Sequence, residues 1–221
     1  MNTVYIALIG DIKESRCLEN RFEIQMKMKR ILEKINKDYE KDISSKFLIT
    51  LGDEFQGLLN NGINLLKIIQ DIQIMLHPVK LRFGIGVGEI STVINPEMAL
   101  GADGPGYYNA RKAIEDLKYN EKRKKAVLAD VRIEMNSNTS VQSMLINTIF
   151  ELMKAIEIEW SERQREIIWD MIKHQDGQKN SAMRLGITQS AVQKALASAR
   201  YYTYVKAIEN LEKVLGEITN D

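Results

Sequence analysis

Cysteine and histidine are scarce in this chain of 221 residues, which has one cysteine, Cys17, and two histidines. A single cysteine cannot form a disulfide within the chain, and so few cysteines and histidines cannot supply the usual four ligands of a structural zinc ion. These absences exclude the disulfide-rich secreted class and the zinc-finger class. They fit a reducing compartment, so we expect a cytoplasmic location.

Long apolar runs and an excess of charge of one sign are also missing. No stretch approaches the roughly 18 successive apolar residues of a membrane-spanning helix, and Met1-Asn2-Thr3 lacks the basic segment of a secretory leader. We therefore expect no membrane partner. Because 31 lysines and arginines face 30 aspartates and glutamates, the net charge of +1 does not indicate a nucleic-acid partner either, unless a local surface provides one.

The first 130 residues alternate strand-like and helix-like segments. Short β-branched apolar runs predict strands, and apolar residues at helical spacing predict amphipathic helices. The predicted order is β-α-β-β-α-β, which is the ferredoxin-like order. The segments are Val4 to Ile9, Ile24 to Tyr39, Phe47 to Leu51, Phe55 to Leu59, Asn61 to Leu76 and Val79 to Gly88, followed by a helix from about Pro105 to Tyr119 and a last strand around Lys125 to Ala129.

Two Gly-Asp steps, Gly10-Asp11 and Gly52-Asp53, each place a carboxylate at the end of a predicted strand. If the strands are neighbours, Asp11 and Asp53 converge, and a divalent cation relieves their repulsion. For either aspartate alone, a turn or cap role is the simpler interpretation, since aspartate is common there. For the pair, we predict a site for Mg²⁺ or Mn²⁺.

The strand before Glu89 has glycine at every second position, Gly84, Gly86 and Gly88, so one of its faces is nearly bare backbone. Such a face indicates the close approach of either a ligand or another backbone. We predict that these glycines, with Glu54 beside them, receive the flat base of a nucleotide.

The predicted helix after Gly104-Pro105-Gly106 carries Arg111 and Lys112 one turn in, where both could contact phosphate. The alternative is that Asp103 caps the helix and Arg111 lies on the surface. The basic run Lys118 to Lys125 is interpreted as a solvated loop before an edge strand, with a phosphate-contacting patch as the alternative.

Several of these segments together resemble the catalytic domain of class III nucleotidyl cyclases and their diguanylate cyclase (GGDEF) relatives, over residues 1 to 130. The resemblance implies that Asp11 and Asp53 bind two metal ions that polarise a triphosphate, with Glu54 adjacent. Two features depart from the family pattern: Asn109 and Arg111 lie two residues apart rather than one turn apart, and Leu51 replaces the first glycine of the diguanylate cyclase motif. The matching segments are Gly10-Asp11, Leu51-Gly52-Asp53-Glu54-Phe55, Arg82-Phe83-Gly84-Ile85 with Gly88, and Gly106 to Lys112.

After Asp130 the pattern is helical only, so we place a domain boundary in the polar cluster Asn136 to Ser140 and predict domains at residues 1–135 and 136–221. Lys179 to Val192 has the form of a helix-turn-helix, with Gly186 at the turn and Thr188 as N-cap. Over residues 160 to 205 it resembles the helix-turn-helix of sigma-factor region 4.

The outward positions of the second helix, Gln189, Ser190, Gln193 and Lys194, are predicted to address the major groove of DNA. We expect the phosphate backbone to be held by four cations, Arg163, Arg165, Lys179 and Arg184. However, residues 161 to 221 contain nine basic and eight acidic residues, which is no strong basic surface. The alternative is a unit that serves protein interaction or packing.

The last predicted helix has apolar residues spaced three and four apart: Tyr201, Tyr204, Ile208, Leu211, Leu215 and Ile218. This is the pattern of a coiled-coil seam and would give a homodimer. Packing against the Val141 to Ile156 helix of the same chain is the simpler alternative.

Taken whole, the chain resembles the SatD family of bacterial proteins. The fold class is predicted as α+β: a ferredoxin-like, nucleotidyl cyclase-like βαββαβ domain followed by an all-α helix-turn-helix domain. The leading hypothesis is a DNA-binding regulator whose first domain senses a nucleotide with a divalent metal. The alternatives are an active nucleotidyl cyclase or nucleotidyltransferase, and a protein-interaction module whose two sites are vestigial.

Overall fold

The computed structural model describes residues 3–15, 18–123, 129–135 and 140–218. These ranges contain five strands and eight helices, so the predicted α+β class is confirmed. The strands are β1 (Tyr5–Ile12), β2 (Ile43–Leu51), β3 (Glu54–Leu59), β4 (Leu81–Gly88) and β5 (Val131–Glu134). The helices are α1 (Arg21–Asp38), α2 (Leu65–Leu76), α3 (Pro105–Lys122), α4 (Ser140–Glu157), α5 (Glu162–His174), α6 (Gln178–Leu185), α7 (Gln189–Ser198) and α8 (Tyr201–Ile218).

The strands form one sheet in the order β2-β3-β1-β4-β5. β1 lies in the middle and runs antiparallel to both β3 and β4, β2 pairs antiparallel with β3, and β5 runs parallel to β4. The continuous apolar segment of β1 explains its central place, because a strand that is apolar on both faces is stable only between two covering layers. Ile6, Ala7, Leu8 and Ile9 are each at most 1% exposed.

Helices α1 and α2 cover one face of the sheet. Met28, Leu32 and Ile35 recur at helical spacing along α1 and are buried against the main core. The other face is covered by α3, where Ala7 and Ile9 pack with Ala110 and the Ile114 side chain.

The glycine face of β4 is the surface on which α3 lies. A Cβ atom at Gly86 would lie 2.0 Å from the carbonyl oxygen of Gly106, and one at Gly84 would lie 2.4 Å from the carbonyl oxygen of Ala110. The close approach that the sequence indicates is therefore that of another backbone. The prediction that this face receives a flat base is wrong, because a helix already covers it.

The C-terminal helices pack in two groups. Phe150 of α4 and Leu211 and Leu215 of α8 join the main core under the sheet, whereas a second cluster around Trp160 and Val192 holds α5, α6 and α7 together. The division of the chain at residues 135 and 136 remains a prediction. The packing adds that α4 and α8 share the main core with the strands and with α1 and α2.

The apolar seam of α8 is used within the chain. Tyr201, Ile208, Leu211 and Leu215 are buried, and Tyr204 and Ile218 pack against the core clusters. The alternative of packing within the chain, with α4 among the partners of α8, is therefore confirmed. This seam is not available to a second copy as the coiled-coil prediction requires.

Some predicted boundaries change. β1 continues to Ile12, so Gly10 and Asp11 lie inside the strand, because their pairing with β3 and β4 extends to its end. The last strand of the described ranges is Val131–Glu134. The strand predicted around Lys125 to Ala129 falls mostly on residues 124–128, which lie outside the described ranges, as does Cys17. None of the helices in the described ranges combines the length and the apolar character needed to cross a membrane.

Candidate functional site

The structure brings Asp11 and Asp53 to one end of the sheet. Asp11 stands opposite Glu54 in the β1–β3 pairing, and Asp53 lies in the turn between β2 and β3. The amide of Ile12 donates a hydrogen bond to the carbonyl oxygen of Asp53 at 3.0 Å, which fixes the turn against the end of β1. Gly52 allows the tight turn because its φ is +53°.

Six charged residues meet here, and we call them the carboxylate edge: Asp11, Asp53, Glu54, Arg82, Lys118 and Arg111. β1, the hairpin turn and β3 supply the acids, whereas β4 and α3 supply the cations. The edge therefore collects charges of both signs from five separate segments.

Asp11 is only 4% exposed, and cations hold both of its carboxylate oxygens. Arg82 donates from Nη1 to Oδ2, and the Nζ atom of Lys118 lies 3.2 Å from Oδ1. Burial raises the pKa of the Asp11 carboxyl above its usual value; the charge of Asp53 adds to the increase, while Arg82 and Lys118 oppose it. The cations therefore offset only part of the cost of burying this charge.

Asp53 is more accessible than Asp11. The Ser15 hydroxyl donates a hydrogen bond to its Oδ2 atom. Because the side chain is partly exposed, a ligand from solvent can reach the acid without displacing the core.

Glu54 and Arg111 form a two-pronged ion pair. The Nη1 and Nη2 atoms of Arg111 donate to the two carboxylate oxygens at 2.6 and 2.8 Å. Two parallel hydrogen bonds of this kind fix the orientation of both groups. Arg111 thus reaches from α3 to β3, and two of the residues that were separately predicted to bind a nucleotide lie in contact.

Other predicted residues lie elsewhere. Gly84, Gly86 and Gly88 are covered by α3, as described above. Lys112 points to the opposite side and pairs with Glu134 of β5 at 3.1 Å, since adjacent helical residues differ by about 100° in direction. Arg111 and Lys112 are therefore held by different acids, on β3 and β5 respectively.

Polar groups at the beginning of α3 form hydrogen bonds with other groups of the chain. The amide of Gly106 donates to the carbonyl oxygen of Glu89 at 3.1 Å, and the Tyr108 hydroxyl donates to the Asp103 carboxylate at 2.7 Å. The N-cap of α3 is Gly104 and no side chain caps the helix, so the alternative that Asp103 is the cap is wrong. Arg111 is held by Glu54 rather than lying free on the surface.

Sequence reasoning missed Arg82, Lys118 and Ser15 as members of this site. Arg82 occupies the same alternating face as the β4 glycines and pairs with Asp11 in the β1–β4 register. Its position on that face was the signal from which its place beside Asp11 could have been predicted. Lys118 follows Arg111 by seven residues, two helical turns, and so lies on the same face of α3. The interpretation of Lys118 as part of a solvated loop is wrong, because α3 continues to Lys122; residues 124 and 125 of that run lie outside the described ranges.

The segment predicted as a helix-turn-helix contains two helices, α6 and α7, joined by a short turn. Gly186 ends α6 with a φ of +63°, and the Thr188 hydroxyl accepts a hydrogen bond from the Ala191 amide at 3.1 Å, which caps α7. Val192 and Leu196 are buried against α5 and α6. The residues predicted to face a groove are all exposed: Gln189, Ser190, Gln193 and Lys194.

Three of the four cations expected to hold a phosphate backbone are paired within the chain. Arg184 binds Asp170 at 2.7 Å, Arg165 binds Glu157 at 3.0 Å, and Arg163 binds Glu166. Lys179 has no ion pair within the described residues. The helix-turn-helix therefore presents a polar face with little free positive charge.

Several solved structures are similar to part of the chain. A bacterial light-regulated adenylyl cyclase is 16% identical, with 59% of this chain and 75% of that chain covered and a TM-score of 0.42. The guanylate cyclase domain of RhGC from Catenaria anguillulae, in complex with GTP, is 15% identical over 51% and 72%, with a TM-score of 0.38. A monomeric guanylyl cyclase domain of RhoGC from Blastocladiella emersonii is 15% identical over 51% and 74%, with a TM-score of 0.39.

No curated protein matches the chain. The model of the SatD family matches residues 5–215, which is nearly the whole sequence, and the predicted family is confirmed. The chain belongs to the SatD family.

Proposed function

We propose that the carboxylate edge binds a nucleoside triphosphate together with a divalent cation. The convergence of Asp11 and Asp53 from separate segments, with Arg82, Arg111 and Lys118 around them, supports this proposal. A metal–triphosphate complex also carries both signs of charge. The acids of the edge suit its cation, and the bases suit its phosphate oxygens.

The ion pairs at the edge can exchange partners. The side chains of Lys118 and Arg111 are 39% and 41% exposed, while those of Asp11 and Glu54 are 5% and 6% exposed. The cations are thus the accessible partners, and they sit on long, flexible stems. When Lys118 turns to phosphate, Asp11 becomes free for the metal, so neither of these two charges is left unpaired.

The donor set fits Mg²⁺ or Mn²⁺ bound jointly by protein and substrate. Within the described ranges no group of three or more His, Cys, Asp or Glu side chains forms a cage for a metal. Mg²⁺ commonly binds through one or two carboxylates plus substrate phosphates and water. Asp11 and Asp53 would hold it, and when bound it would neutralise charge on the triphosphate.

Nucleotidyl transfer, including cyclisation, is the reaction class that we assign to this edge if bound nucleotide is turned over. Two carboxylates that hold metal against a triphosphate serve this chemistry. Incubation with ATP or GTP and Mg²⁺ or Mn²⁺, followed by product separation, is the test. A cyclic or linear nucleotide product that disappears in Asp53→Ala shows an enzyme, whereas binding without any product shows a sensor.

Calorimetric titration tests the binding itself. We expect ATP or GTP to bind only with Mg²⁺ or Mn²⁺ present, and Asp53→Asn to weaken binding by about tenfold or more, because a neutral amide is a poor ligand for a hard cation. Asp38→Asn is the matched control, since Asp38 is an acid at the end of α1 that pairs with Lys34. Equal binding with and without metal contradicts the proposal.

The two lysines of α3 give a sharper comparison. Lys118→Met should strengthen binding of Mn²⁺ alone by about threefold to tenfold, because it removes the ammonium that competes for Asp11, and should weaken binding of the nucleotide complex. Lys112→Met makes the same change on the opposite side of the helix and should alter neither affinity. If both variants behave alike, partner exchange at the edge is wrong.

The exposed face of α7 favours a second function, DNA binding by the helix-turn-helix, which we propose separately. Gln193 and Lys194 lie on that face, and Lys194 has no ion pair within the part of the chain that the structure describes. Gln suits adenine, and Lys suits guanine or phosphate.

For DNA, fluorescence anisotropy with a labelled duplex at several salt concentrations is the measurement. We expect binding that weakens as salt increases, and a further loss of about tenfold in Gln193→Ala/Lys194→Ala. Lys213→Ala, an exposed lysine on α8, is the control for charge. Binding by the double variant that equals binding by the control excludes α7 as the reading helix.

A further inference from the structure

A cavity of about 500 Å³ lies where the first domain meets the helix-turn-helix unit, and we call it the seam cavity. The connection from α2 to β4 forms one side, and α4 and α5 form the other. Its volume is in the range of small-molecule sites, which occur preferentially between domains. None of the six residues of the carboxylate edge lines it.

The lining of the seam cavity has more cationic side chains than carboxylates, and one of these cations, Lys13, is also paired with Glu121, outside the lining, at 2.5 Å. Four cationic side chains and three carboxylates line it: Lys13, Lys80, Lys154, Arg165, Asp130, Glu157 and Glu162. Each of the acids already has partners. Asp130 lies 2.5 Å from Lys13 and 2.6 Å from Lys154, and Glu157 lies 3.0 Å from Arg165, while Glu162 lies 3.8 Å from Arg165 and 3.6 Å from His77.

Lys80 is the cation that remains. It is exposed, and it has no ion pair within the described ranges. Its backbone is fixed, because its carbonyl oxygen accepts a hydrogen bond from the Lys13 amide at 2.9 Å. The seam cavity therefore has one positive charge at its wall that an acidic group on a ligand can pair with.

The rest of the lining suits a flat ring. Trp169 is partly exposed, lies edge-to-face with His77 at 4.8 Å between centroids, and has the Arg165 guanidinium 5.6 Å from its ring centroid. Ile74 and Val79 add apolar wall, and Gln73 adds an amide that can donate and accept hydrogen bonds. Aromatic rings stack readily on such walls.

We infer that the seam cavity is a second ligand site, for a planar aromatic or heteroaromatic molecule that carries one acidic group. The ring lies against Trp169 and the apolar wall, the acidic group pairs with Lys80, and a polar ring edge meets Gln73. This ligand contacts the ion pairs of Asp130 with Lys13 and with Lys154 of α4, and the ion pair of Glu157 of α4 with Arg165 of α5. Its binding requires no metal, and none of its contacts is a residue of the carboxylate edge.

The fluorescent dye ANS, an anilinonaphthalene bearing one sulfonate, is the probe. The chain has two tryptophans, Trp160 and Trp169, and the Arg165 guanidinium lies near both rings. We expect one dye per chain, with tryptophan emission transferred to the dye. Dye that binds with no transfer, or no binding of dye at all, overturns the inference.

Substitutions locate the dye. Lys80→Glu and Trp169→Ala should each weaken dye binding by about tenfold, whereas Trp169→Phe, which keeps a ring, should preserve most of it. Lys179→Glu and Leu145→Gln are controls for charge reversal and for exposed apolar surface, and near-ultraviolet circular dichroism verifies folding. Equal dye affinity in Lys80→Glu and Lys179→Glu, or in Trp169→Ala and the unaltered chain, overturns the inference.

Discussion

Alanine at position 86 is expected to lower the free energy of unfolding by about 3 kcal/mol or more, near the upper end of overpacking effects. The added Cβ would lie 2.0 Å from the carbonyl oxygen of Gly106 and 2.2 Å from the amide nitrogen of Ala110. Both are backbone atoms, so no side-chain rotation relieves the clash and α3 must move away from the sheet. Urea denaturation followed by circular dichroism measures the change.

Gly101→Ala is the matched control. No atom lies within 4 Å of a Cβ built there, but φ is +78°, so only backbone strain of about 1 kcal/mol is expected. Because α3 carries Lys118 and Arg111, Gly86→Ala should also weaken nucleotide binding, whereas Gly101→Ala should not. If the two substitutions lower the free energy of unfolding equally, the close packing of α3 on β4 is not the reason for glycine at position 86.

The glycine face shows how far sequence reasoning reaches. Alternation of Gly84 and Gly86 with Phe83 and Ile85 correctly indicates two unlike faces and the close approach of something to one of them. Whether a ligand or a helix approaches depends on α3, whose packing direction is a tertiary property. The glycine pattern of β4 leaves room beside the strand, and α3, which is distant in sequence, occupies that room.

The acids of the carboxylate edge were easier to predict than its cations. Asp11 and Asp53 follow recognisable strand segments, so strand pairing alone brings them together. Arg82 and Lys118 come from β4 and α3, and their contacts with Asp11 depend on strand order and on the rotation of a helix about its axis. A run of basic residues indicates exposure on average, and it does not show which lysine turns inward.

The apolar spacing of α8 illustrates the same limit. Residues three and four apart show that one face of a helix is buried, and this holds for Ile208, Leu211 and Leu215. The spacing does not show what buries it, because a helix of the same chain and a helix of a second copy present similar surfaces. The main core under the sheet supplies the partner here.

Replacing Arg82 with methionine is expected to lower the free energy of unfolding by about 3–5 kcal/mol at neutral pH, the usual cost of breaking a buried ion pair. Arg82 is buried and donates to both Asp11 and Glu121, the latter at 2.7 Å. Methionine fills the space of the stem but leaves the Asp11 carboxylate buried with Lys118 as its remaining ion-pair partner, and leaves Glu121 with Lys13. Chemical denaturation of the full chain measures the loss.

The pH dependence separates this electrostatic loss from a packing loss. Burial already raises the pKa of Asp11 and Arg82 opposes that increase, so the pKa rises further in Arg82→Met. A buried acid with a raised pKa destabilises the fold when ionised, and the penalty shrinks as pH falls through that pKa. The difference in the free energy of unfolding between Arg82→Met and the unaltered chain should therefore become smaller as the pH falls.

The double variant Asp11→Asn/Arg82→Met removes the buried negative charge, so it should be more stable at neutral pH than Arg82→Met alone. Lys34→Met breaks the exposed pair with Asp38 and should leave the free energy of unfolding nearly unchanged, because solvent screens such a pair. A loss in Arg82→Met that stays constant with pH would mean that the arginine acts through packing alone.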